Sequence, residues 1–140
     1  MAILSDFFIA EASPLPDYHG DPDFPASDRF QFKSITPLEA AGVLSVLRGG
    51  GDAVKLIGEF KLLTPEDAEE WTMRIPDDMV ASLASIAEPR LSEVAAQCSV
   101  VTAEEIGWSP DDFRVVLTHL HDLATRAQET ERAMYLWNSL

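Results

Sequence analysis

The chain has 140 residues, 46% of them hydrophobic and 24% charged, which is the make-up of one folded domain and not of a disordered chain. Twenty-four Asp and Glu against ten Lys and Arg give a net charge of -14, spread over every third of the sequence; phosphate backbones are repelled, so no nucleic-acid partner is expected. The longest apolar runs, such as FFIA, fall far short of the roughly 20 residues that cross a membrane, and no Lys or Arg precedes Arg29 to open a secretory leader. The expected setting is the cytoplasm, with no membrane partner. A single cysteine, Cys98, agrees with a reducing compartment, and its flanks VAAQCSVV predict a small buried hydrophobe.

The first segment, AILSDFFIA over residues 2–10, is rich in branched and aromatic residues and predicts a strand, a helix beginning at SDFFIAEA being the alternative. Next comes DYHGDPDFPASD, residues 17–28, with four aspartates and a histidine. Its spacing resembles a calcium loop at several positions, but the place where such a loop needs Gly holds Pro22, locked near φ of about -65°. His19, Asp21 and Asp23 form a looser candidate set for one divalent ion, zinc or manganese. Against that stand Pro14, Pro16, Pro22 and Pro25, which predict an extended acidic loop at about 13–28 with solvated side chains and no cofactor.

RFQFK at 29–33 and WTMRI at 71–75 alternate apolar with polar residues and predict half-buried strands. TPLE at Thr36, TPED at Thr64 and SPDD at Ser109 share a grammar of hydroxyl cap, Pro at the first helical position and an acid two places later, predicting three helix starts. The first helix, residues 37–48, should bury Ala40, Val43, Leu44 and Leu47 and stop at Gly49, Gly50 and Gly51. IPDD opens a fourth helix with Met79, Val80, Leu83 and Ile86 inward, and TAEE at Thr102 a short one that Gly107 stops.

Glu66, Asp67, Glu69 and Glu70 crowd the expected helix after Thr64, where the helix dipole favours acids; they are also the candidates for contact with a basic protein partner. On the last helix, Phe113, Val116, Leu117, Leu120, Leu123, Ala124 and Ala127 form the inward stripe. His119 and His121, about 200° apart, sit on its shoulders and cannot grip one ion together. His119 and Asp122 share a face, the arrangement of an acid-base pair, but Asp122 also lies four residues before Arg126, the spacing of a helix ion pair, which is the expected use. AMYLWNSL at the end predicts a second terminal strand, with Trp137 buried.

The ends, MAILSDFFIA and RAMYLWNSL, together with FKLLTPEDAEEW in the middle, resemble a group of short bacterial proteins of uncharacterised function. These open on a hydrophobic strand containing Ser-Asp and close on a Leu-rich helix followed by a YLW-like strand. The resemblance implies a bacterial cytoplasmic protein and carries over no catalytic or binding residue. The sequence contains no G-x-S-x-G, dinucleotide or Walker pattern. Its expected fold is therefore a single α+β domain, four to six helices packed on a small sheet that includes both terminal segments. The expected function is a non-enzymatic acidic interaction module, inhibitor or immunity-like, the alternative being a metal-dependent binder or enzyme using His19, Asp21 and Asp23.

Overall fold

The computed structural model describes residues 3–140. The continuous apolar runs at the two ends and the alternating segments between them form five strands: β1 (Leu4–Ala10), β2 (Arg29–Lys33), β3 (Lys61–Leu62), β4 (Glu70–Arg74) and β5 (Ala133–Ser139). They form one antiparallel sheet in the order β2-β1-β5-β4-β3. The terminal strands pair along their whole length at its centre, from Leu4 opposite Ser139 to Ala10 opposite Ala133. The strand expected over residues 2–10 is therefore present from Leu4; Ala2 lies outside the described residues.

Period-two alternation gives the sheet two distinct faces. Phe7 and Ile9 of β1, Phe30 and Phe32 of β2, Met73 of β4, and Met134 and Leu136 of β5 turn to one side, where the helices lie. The five α-helices are α1 (Pro37–Leu47), α2 (Ala53–Leu56), α3 (Asp77–Ser85), α4 (Glu88–Val101) and α5 (Pro110–Glu129). α5 crosses β1, β2 and β5, with α3 and α4 packed against it. Its start has both halves of the capping box, Ser109 Oγ accepting from the Asp112 N–H and Asp112 from the Ser109 N–H. All seven residues of its expected stripe are buried. Cys98 of α4 is buried in the same core, which pushes its thiol pKa up to about 12 and makes it a poor nucleophile.

The second helix start departs from expectation. Residues 64–69 hold no helix: they form the turn between β3 and β4, with one helical-type bond from the Ala68 N–H to the Pro65 carbonyl. Antiparallel pairing of Leu62 with Met73 prevails over the cap-and-proline signal: the link must reverse the chain within residues 63–69, and it does so with a single turn. Thr64 Oγ1 instead accepts from the Thr72 N–H on the neighbouring strand. The structure also contains α4, which no start signal marked: Pro89 sits in its first turn, but Ala87 at its N-cap offers no side-chain oxygen.

Candidate functional site

The other face of the sheet is covered by the chain between β1 and β2. Outward from the helices point Asp6 and Phe8 of β1, Tyr135 and Trp137 of β5, Glu70 and Thr72 of β4, and Arg29 and Gln31 of β2, as the cross-strand register requires. Tyr18 and Phe24 close over them. The Tyr18 ring stacks on Phe8 at 4.2 Å and meets Trp137 edge-on at 5.5 Å, while Phe24 is edge-on to both Phe8 and Tyr18. Gly20 presses on Trp137: an added Cβ would lie 2.9 Å from the indole, and φ of +74° is itself strained for other residues.

The solvated loop expected from the prolines is thus a cover. Tyr18 and Asp28 are buried, although Asp17, His19, Asp21 and Asp23 remain exposed. Asp28 is held by Arg126 Nε at 2.6 Å and Arg132 Nη1 at 3.0 Å. The Arg132 bond, followed by that from Arg126, keeps its carboxyl below the ordinary carboxylate range against the opposing effect of burial. Arg126 consequently serves the loop and not Asp122, the helix partner its spacing suggested. A carboxylate shared by two arginines across the fold is a better acceptor than an exposed one on the same helix.

Asp6 lies at the centre of this face, 3% exposed, within a strand that is otherwise apolar from Phe7 to Ala10. Its Oδ2 accepts from the Tyr18 hydroxyl at 2.5 Å and from Gln31 Nε2 at 3.1 Å. Arg29 Nη1 donates to the Tyr18 oxygen at 3.1 Å and to the Asp21 carbonyl, so it is one step removed from the carboxylate. Burial first, then the bond to Asp6, raises the Tyr18 pKa, with Arg29 opposing; the hydroxyl stays a donor. A groove of about 360 Å³ opens beside Asp6, lined also by Leu4, His19, Gln31, Lys33 and Trp137.

His19 bridges two acidic segments. Its Nε2 is 2.6 Å from Asp17 Oδ1 and its Nδ1 3.1 Å from Glu70 Oε1, which also accepts from Trp137 Nε1 at 2.8 Å. Glu70, then Asp17, raises the pKa of the ring, and both nitrogens donate when it is protonated. The structure does not gather His19, Asp21 and Asp23: the ring turns to Asp17 and Glu70, and the Asp21 carboxylate accepts from the His19 backbone N–H, at 3.4 Å. Among the described residues no three His, Cys, Asp or Glu side chains converge as a metal site requires. Of the contact candidates, Glu66, Asp67 and Glu69 are exposed in the β3–β4 turn and half-buried Glu70 opens β4. His19 therefore brings the acidic loop and the acidic turn to one side of the molecule.

The remaining histidines serve packing. His119 stacks on Phe30 with ring centroids 3.7 Å apart, and His121 Nδ1 lies 2.8 Å from the Leu83 carbonyl. Asp6, Tyr18, Gln31 and Trp137 come from four segments, so no local pattern marks them as a group. The available signal was Asp6 itself, two residues from Phe8 and so on the same buried face of an apolar strand. No family model, curated protein or solved structure matches the chain, so the case for function rests on these residues.

Proposed function

We propose that this chain is a non-enzymatic acidic interaction module of the bacterial cytoplasm, inhibitor or immunity-like, that covers a basic surface on a partner protein. The carrying observation is the junction at His19, whose ring joins Asp17 of the acidic loop to Glu70 at the end of the acidic turn that carries Glu66, Asp67 and Glu69, beside the groove that His19 lines. Internal ion pairs do not offset the imbalance: four bases, Arg48, Arg74, Arg126 and Arg132, are engaged with four acids, Glu59, Asp78, Asp77 and Asp28, so the excess of acids stands. Clustered like charge of this kind steers an oppositely charged partner and speeds encounter.

The test is cross-linking in the source cells followed by calorimetric titration with the purified partner. The expected partner is basic, with pI above about 9. Its affinity should fall about tenfold between 0.15 and 0.5 M salt, and Glu66→Lys with Glu69→Lys should slow association about tenfold. An acidic partner bound independently of salt, or turnover of any substrate, would refute the reading.

A further inference from the structure

The groove beside Asp6 contains a charge that the protein leaves unmatched. A carboxylate 3% exposed is ordinarily paired with a cation, since desolvating it alone is expensive. Asp6 has neutral donors only, Tyr18 and Gln31, and both converge on Oδ2. Among the described residues no hydrogen bond reaches Oδ1 and no cationic side chain forms an ion pair with Asp6. Oδ1 is also not among the sealed, unpartnered polar atoms, which leaves it open to the groove that Asp6 lines.

We propose that this groove is a binding site for a single cationic group, an ammonium or guanidinium, seated on Asp6 Oδ1 with Trp137 as its wall. Asp6 and Trp137 are direct cross-strand partners on β1 and β5, so a cation on the carboxylate also lies beside the indole, an arrangement that favours cations electrostatically. The volume of about 360 Å³ accepts a side chain or a small amine. Of the other charges at the groove, His19 is matched by Asp17 and Glu70, and Lys33 is an exposed residue whose charge water screens. The inference deepens the interaction-module reading, on which it rests for the source of the cation: an arginine or lysine side chain of the partner protein.

The test uses the full chain, labelled with nitrogen-15, and three probes: N-acetylarginine methylamide, its uncharged citrulline counterpart, and putrescine. The arginine probe should shift the amides of Asp6 and Gln31 and the Trp137 indole N–H, saturating at roughly millimolar concentration as befits one contact. The citrulline probe should leave them unmoved. Asp6→Asn, nearly isosteric, should remove the response, and the citrulline comparison on the unaltered chain decides the matter even if that variant folds poorly. Equal shifts with citrulline, or shifts scattered over Glu66, Asp67 and Glu69 instead of the groove, would overturn the proposal. Saturation by putrescine alone would uphold the cation site and assign it to a free diamine, against the partner-protein reading. A basic partner that binds Asp6→Asn as tightly as the original chain would overturn this inference and leave that reading standing.

Discussion

The two faces of the sheet are built on different physical terms. On the helix side, Phe7, Ile9, Met134 and Leu136 meet a continuous layer of Leu, Val, Ile and Ala from four helices, whose backbones satisfy their own hydrogen bonds. On the loop side, burial comes from packed rings, Phe8 stacked with Tyr18 and Tyr135 and Trp137 edge-on to Tyr18, under irregular chain. The sheet presents polar groups to that cover, and Asp6 and Thr72 are buried beneath it. The helix side buries sheet polar groups as well, Ser5 and Asn138, but these are neutral and bonded to one another and to backbone carbonyls, whereas the buried carboxylate of the sheet, Asp6, lies under the coil.

β5 belongs to both faces, so removing it should have the largest effect. Deleting residues 135–140 takes Leu136 from the helix side and Tyr135 and Trp137 from the loop side, and leaves β1 and β4 without the strand between them. Loss of one large core aromatic costs about 3–5 kcal/mol against a total stability of about 5–15 kcal/mol. The truncated chain should be unfolded by circular dichroism. A folded truncation with an unchanged melting temperature would mean that the faces do not depend on their shared strand.

Substitutions confined to one face should separate the two terms. Leu117→Ala, in the middle of the α5 stripe, should cost about 2–5 kcal/mol in urea denaturation through the cavity it leaves. Asp28→Asn should cost less, about 1–3 kcal/mol, by weakening the bonds to Arg126 and Arg132. Its cost should depend on pH. The Asp28 carboxyl titrates lower in the folded state than unfolded, so its contribution is present above the unfolded value near 4 and disappears as pH falls through the folded one. The difference between original and Asp28→Asn stabilities should therefore shrink in acid; a difference that is constant from pH 7 to pH 3 would contradict the role given to the arginines. Tyr18→Phe keeps the rings stacked and removes only the hydroxyl between Asp6 and Arg29, for about 1–2 kcal/mol.

The same contrast explains what the sequence could disclose. The α5 stripe, the alternation of β2 and β4 and the docking of the terminal strands were readable, because each follows from a local period or from aromatic residues that water excludes. The turn over residues 64–69 was misread because cap, proline and acids serve a short hairpin link as well as a helix. The role of the acidic loop as a cover was not legible, for a different reason. Prolines and aspartates give it a loop's composition, and only pairing at long range, Asp28 with Arg126 and Arg132 or Tyr18 with Asp6, turns that loop into a lid over rings. Of the candidate site, the acids were visible singly; their meeting at His19 depends on Glu70, which is 51 residues away.

The smallest effect should come from His19, and it tests whether the loop is joined to the turn in solution. The ring is 55% exposed, so water screens both of its ion pairs and its share of stability is slight. Its titration is the better readout. Glu70 first, and Asp17 after it, raise the folded pKa above the unfolded value of about 6.5. The contribution of the bridge is then fully present below about 6.5 and is lost as pH rises through the folded value, opposite in sense to that of Asp28. Following the His19 ring protons by NMR should give a midpoint above that of the urea-unfolded chain. Glu70→Gln should lower it more than Asp17→Asn, since the Glu70 bond is the larger influence. If the midpoint matches the unfolded chain and neither substitution moves it, the loop and the turn are not joined, and the acidic surface proposed to meet a basic partner separates into two unrelated segments.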